Sequence, residues 1–217
     1  MLLEKINGLK KKLVEEANLA EDMVKKSIKG LVEKNKNFLE EVMKKDEPLI
    51  NKFEVELDEI CTNLIALYQP EAGNLRTILM ILKMNNDLER IGDLAVNISE
   101  SALYLIDKPD VKPLIDIPRM TEVSTEMLRK AIDSFIKRDS SLAKSVCEKD
   151  SIVDNLRDQV LRELITFMTA DPSVIERAIH LIRISRNLER VADLSTNICE
   201  DVIFMVDGRV IKHHIDE

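Results

Sequence analysis

The residues best placed to do chemistry in this 217-residue chain are acids spaced four apart: Glu89 with Asp93, Glu189 with Asp193, and Asp150 with Asp154. On a helix that spacing is one turn, so both carboxylates of a pair can reach one ion or two adjacent ions. An oxygen donor set free of Cys and His favours hard cations, namely oxidised iron, manganese, magnesium or calcium, and also admits zinc. Carboxylates crowded at one site raise one another's pKa when no cation is present.

Two of these pairs lie in a stretch that the chain contains twice, offset by 100. Asn86 to Asp107 reads NDLERIGDLAVNISESALYLID, and Arg186 to Asp207 reads RNLERVADLSTNICEDVIFMVD. At 100° per residue, Glu89, Asp93, Asn97 and Glu100 share a stripe about 80° wide, with Leu88, Ile91, Ala95, Ile98, Ala102 and Leu105 opposite. The apolar side has drifted between copies (Ile91/Val191, Ala95/Ser195, Leu105/Met205), as volume-tolerant packing allows, whereas all four stripe positions are identical. Like charges at i, i+4 cost a helix roughly 0.2–0.5 kcal/mol per pair, so a cation or a partner must offset them. Asn97 and Asn197 supplement the carboxylates as oxygen donors. Arg90 and Arg190, repeated with them, suit either a local ion pair or, with Glu100 and Glu200, contact with a docked protein. In the first half the counterpart of Asp150/Asp154 is Glu47/Asn51, or Asp46/Ile50 if the register slips by one near Pro48, so that set is weaker by at least one carboxylate.

The elements that must carry these residues are helices. Charged residues make up 33% of the chain and aromatics 3%, with 5 Gly, 6 Pro and no Trp, a composition of helix formers. Apolar residues three or four apart from Ile6 to Val42 predict one helix over the first 44 residues; a second starts near Pro48, and a third spans about 74–106. The segment DKPDVKPLIDIP, 107–118, holds three of the six prolines and reads as a linker. A fourth helix is expected from Met120 to Val146, a fifth from about Ile152 to Phe167, and a sixth from Asp171 to Asp207, stopped by Gly208. The expected architecture is all-α: two tandem, similar three-helix bundles over 1–108 and 119–217, joined by 109–118.

A formal charge of −8, with basic residues interleaved among acids, excludes a nucleic-acid backbone as the main ligand. Cys61, Cys147 and Cys199 are odd in number and form no C-x-x-C pair, which suits a reducing compartment. No apolar run reaches the roughly 18 residues that span a bilayer, and the N-terminus lacks a signal-peptide pattern, so a soluble cytoplasmic protein is expected, at a membrane only through a partner. Nucleophile motifs and Gly-rich phosphate loops are missing, which argues against an enzyme. His180, between apolar neighbours, reads as structural, and the adjacent His213 and His214 make poorly preorganised ligands.

With LERIGDLAVNI (88–98), LERVADLSTNI (188–198) and QPEAGNLR (69–76) in place, the chain closely resembles the PhoU family of phosphate-uptake regulators over nearly its whole length. The resemblance implies two three-helix bundles side by side with metal ions on the acidic motifs. Carried over by position, the ligands would be Glu89, Asp93, Asp150, Asp154, Glu189 and Asp193. It also implies a cytoplasmic homodimer that restrains the high-affinity phosphate transporter when phosphate is plentiful, through the transporter's ATPase subunit and, in many bacteria, a sensor histidine kinase. Two other classes compete: a metal-independent helical scaffold, and a di-iron or iron-storing protein, for which the usual Glu-x-x-His pairs are missing from these positions.

Overall fold

A computed structural model describes residues 2–208. Eight α-helices run through it: α1 Leu2–Val32, α2 Lys36–Glu41, α3 Glu47–Tyr68, α4 Ala72–Ile106, α5 Asp116–Lys137, α6 Ser140–Cys147, α7 Asp150–Ala170 and α8 Ile175–Asp207. A π turn, Val42–Asp46, joins α2 to α3 without interruption, and only the two-residue turn 148–149 separates α6 from α7. Each half therefore consists of three rods, as expected, and no strand occurs among the described residues.

The first helix is shorter than its apolar pattern suggested. It stops at Val32, and residues 36–44 belong to the second rod. Lys34 takes a left-handed conformation (φ 52°), the Asn35 N–H donates back to the Gly30 carbonyl at 2.8 Å, and Asn35 Oδ1 accepts from the Asn37 N–H at 3.0 Å. That is a helix stop followed at once by an N-cap. The fourth helix ends the same way, with Leu142 and Val146 assigned to the next rod. Arg138 has φ 54°, the Asp139 N–H donates to Ser134 O at 2.9 Å, and Asp139 Oδ1 accepts from the Leu142 N–H at 3.0 Å. Neither left-handed residue is a glycine, so composition gave no warning. Gly30 serves a different need: a Cβ there would stand 2.5 Å from Leu39 Cδ2, so its absence lets the second rod fold back against α1.

The π turn also settles the register between halves. Buried Val42 and Ile50 are eight residues apart, whereas the matching buried Val146 and Val153 are seven apart. A π turn accommodates one inserted residue within a helix, and this one absorbs the difference. Beyond it the buried residues Ile50, Leu57 and Cys61 match Val153, Val160 and Leu164 at a spacing of 103. Glu47 and Asn51 thus correspond to Asp150 and Asp154, and Glu54 corresponds to Arg157.

The four long helices form the centre. α1 packs on α4 and α5 on α8 within each half, while α4 lies along α8 and α1 along α5 between halves; α3 and α7 flank the outside. One contiguous apolar cluster runs through both halves, from Leu9 and Met23 through Met84 and Ile91 to Met127, Ile184 and Val191. Across the seam Glu21 pairs with Arg129, Lys83 with Asp201 at 3.2 Å, and the Tyr104 ring stacks on His180 at 4.0 Å. His180 is thereby structural, as expected, with its ring against the opposite half. The expected linker, 109–118, overlaps the first turn of α5, which begins at Asp116. Residues 209–217, with His213 and His214, lie outside the described residues.

Because Asp139 caps α6 through a side-chain hydrogen bond, Asp139→Ala is expected to cost about 1 kcal/mol. Urea unfolding followed by circular dichroism measures this; an unchanged midpoint would show that the cap contributes nothing.

Candidate functional site

Packing α4 along α8 turns two separate stripes into one charged surface. The kept residues of both copies, Arg90, Asp93 and Asn97 from α4 with Arg190, Asp193 and Asn197 from α8, line a single groove of about 630 Å³, together with Asp150 from the start of α7. A second groove of about 600 Å³ adjoins it, sharing Asn97 and Arg190, and is lined by Glu100 and Ser101 from α4, Arg157 from α7, and Arg183, Arg186, Asn187 and Glu189 from α8. Glu100 is exposed there, whereas Glu200 is half-buried and its charge bears on the Cys147 and Cys199 thiols. The two acids equivalent in sequence thus serve different neighbourhoods.

In the second half the sequence-predicted acids do come together. Asp150 is pushed up to about 6, first by burial and then by Asp193, Asp154 and Glu189. Burial followed by Asp193 raises Glu189, and burial followed by Asp154 raises Asp193. One side chain opposes this accumulation. Arg157 places Nη1 2.7 Å from Glu189 and Nη2 2.9 Å from Asp158 and 3.7 Å from Asp154. A planar guanidinium with several donors suits such a shared position.

The first half is built differently. Glu89 is raised by burial, then by Asp93 and by Glu54, so it is Glu54 of α3 whose charge reaches it; Glu47 and Asn51 are not among its perturbing groups. Asn85 Nδ2 donates to Asp58 Oδ1 at 2.7 Å and to the Glu54 carbonyl at 3.0 Å, tying α4 to α3 at this level. Below them lies Glu16 of α1, fully buried, with neither carboxyl oxygen hydrogen-bonded. Its pKa is pushed up to about 9, chiefly by burial and then by Glu54, Asp58 and Glu89. Among the described residues no three Asp, Glu, His or Cys side chains converge as a ready metal-holding group.

Sequence reasoning missed Glu16, Glu54, Asp58, Asp158 and Arg157. Glu54/Asp58 and Asp154/Asp158 carry the same four-residue spacing as the chosen pairs, so that signal was present. Glu16, next to Glu15 in a charged run, looked like ordinary surface.

A tandem pair of three-helix units with a charged groove at their seam defines an all-helical class of protein built by internal duplication. The PhoU domain model matches residues 13–102 and again 117–202. The chain therefore belongs to the PhoU family. It is 42% identical, over all of its length and 98% of the relative's, to the "phosphate-specific transport system accessory protein PhoU homolog" of Aquifex aeolicus. Against homolog 2 of Thermotoga maritima it is 34% identical over all of its length and 92% of the relative's. The crystal structure of PhoU from Pseudomonas aeruginosa superposes with a TM-score of 0.92 at 31% identity, covering 96% of this chain and 100% of that one.

Folding Glu16 into an acidic, dry site favours its protonated form, so its contribution to stability is fully present below the unfolded value of 4.5 and is lost as pH rises toward about 9. In chelator, the melting temperature is expected to fall across that window, and Glu16→Gln to flatten the fall. At pH 8 the variant should gain at least ~1 kcal/mol, or about 2–4 °C. Parallel pH profiles for the two proteins would contradict this.

Proposed function

We propose that this chain regulates phosphate uptake as a non-enzymatic helical adaptor. In this reading it is cytoplasmic and dimeric, and it docks on the ATPase subunit of the high-affinity phosphate transporter to restrain import when phosphate is plentiful. A sensor histidine kinase is a second partner in the same reading. Full-length likeness to proteins named as accessories of a phosphate-specific transport system supports the process. The observation that carries the site is the meeting of Arg90, Asp93 and Asn97 with Arg190, Asp193 and Asn197 in one groove. Residues kept in both copies, brought to one place and left exposed, form a surface built for contact rather than for core packing.

The adjoining arginines support docking. Arg183 and Arg186 stand exposed on the groove wall and make no ion pair among the described residues, although the chain as a whole is acidic. Unpaired guanidiniums at a groove suit carboxylates of a partner protein and steer its approach. The metal part of the proposal places hard cations on Glu89/Asp93, Asp150/Asp154 and Glu189/Asp193, where burial and then neighbouring carboxylates raise Glu89, Asp150, Glu189 and Asp193. Such ions would supply positive charge to the acidic face and oxygen-coordination sites open to a partner. A metal-independent scaffold is the competing reading, and Arg157 favours it, because that side chain already neutralises the second acidic set.

A tagged chain recovered from its native cells, grown in high and in low phosphate, is expected to retain the transporter ATPase, more in one condition than in the other. Arg90→Glu/Arg190→Glu should reduce that recovery roughly tenfold with helicity unchanged. Equal recovery of the ATPase by the double variant would move the docking surface elsewhere, and its absence with wild-type chain would remove this partner.

A further inference from the structure

The two copies of the repeated stretch treat their cations differently. In the first, Lys83 reaches across the seam to Asp201 at 3.2 Å, and Arg90 stands 3.6 Å from Asp87. At the offset of 100 the corresponding cations are Arg183 and Arg190, and the positions that answer to those two acids hold Ser101 and Asn187. Both counter-charges are thus replaced by neutral hydrogen-bond donors. Arg186, where the first copy has Asn86, adds a third cation. All five of these second-copy positions line the groove of about 600 Å³.

Arg183, Arg186 and Arg190 are exposed, and none forms an ion pair among the described residues. Of the two carboxylates in the groove, Glu189 is taken by Arg157, so Glu100 alone faces the three guanidiniums. Cations gathered on one face without counter-charge repel one another, and an anion relieves this. What the groove lacks sets the kind of anion. No apolar or aromatic side chain lines it, whereas the adjoining groove has Leu94 and Leu194. A docked protein needs an apolar core to its contact, and a nucleotide base needs a ring to stack on. Guanidinium forks, amides and a hydroxyl instead match the oxygens of phosphoryl groups. Seven residues separate Arg183 from Arg190, about 10 Å of helix, which is longer than a single phosphate.

We propose that this groove binds a short inorganic phosphoanion, two or more phosphoryl groups long, laid along Arg183, Arg186 and Arg190, with Asn187 and Ser101 donating to its oxygens. Binding requires neither the partner nor the metal of the adaptor reading. Where that reading holds, a seated anion also cancels the positive charge that steers an acidic partner toward this face.

The test is isothermal titration calorimetry of the full chain, in chelator, with sodium tripolyphosphate, and separately with inorganic phosphate, sulfate and citrate. Tripolyphosphate is expected to bind at one site per chain, roughly tenfold or more tighter than the other three. Arg183→Gln/Arg186→Gln should weaken it roughly tenfold or more, with helicity unchanged by circular dichroism. Asn187→Asp, which gives Arg190 the acid that Arg90 has in Asp87, should weaken it comparably. Lys10→Gln/Lys11→Gln removes the same charge from α1, outside this groove, and should leave the affinity within about twofold. Equal weakening by the two double variants would show diffuse attraction to the surface and overturn the site. Sulfate or citrate bound as tightly as tripolyphosphate would overturn the phosphoryl assignment, and inorganic phosphate bound as tightly would overturn the extended occupant. No tripolyphosphate bound by the wild-type chain would overturn the inference outright and leave the adaptor reading untouched.

Discussion

The packing of α4 along α8 is the constraint on which the charged architecture depends, because it decides where two copies of one helical stripe end up. Each helix buries its apolar side, including Ile91, Ala95 and Ile98 on one and Val191, Ser195 and Ile198 on the other, and is left with acids, Asn and Arg on its remaining surface. Had the halves been strung apart, Asp93 and Asp193 would be separate surface charges with little to do beyond solvation. Laid side by side, they share a groove with Arg90, Arg190, Asn97 and Asn197. Contacts across the seam, Glu21 with Arg129 and Tyr104 on His180, hold that arrangement at points away from the groove.

From that arrangement follows a crowding of carboxylates, and the halves meet it unequally. Like charges at short range raise the cost of ionising each member unless an opposite charge is close. Arg157 supplies one to the acids of α7 and α8. In the first half Glu89 has only the flanking Arg90 to lower it, and Glu16 is fully buried. A duplicated fold has thus kept its surface residues in α4 and α8 while the helices behind them have diverged in charge.

Much of this was legible in the sequence because helices announce themselves by apolar spacing, and a repeat offset by 100 fixes which residues correspond. The three rods per half, the stop at Gly208 and the gathering of Asp150, Asp154, Glu189 and Asp193 follow from those signals. What escaped notice did so for physical reasons. Lys34 and Arg138 adopt left-handed turns that favour glycine, so the ends of α1 and α5 were hidden inside apolar patterns that continue in the next rod. The π turn adds one residue at Val42–Asp46, which left the register of α3 against α7 ambiguous and with it the pairing of Glu54 with Arg157. Glu16 lay beyond sequence reasoning altogether, since burial of a charged residue depends on what other helices place around it.

The central claim, that the groove shared by the two copies is the working surface, is tested most directly by phosphate uptake in the native cells. Radiolabelled uptake would be measured in high phosphate with the gene intact, deleted, or replaced by Arg90→Glu/Arg190→Glu, with the variant's abundance checked by immunoblot. The expected result is import in the variant released to the level of the deletion, with the protein present at its normal amount. Import held at the intact-gene level by a normally abundant variant would contradict the claim.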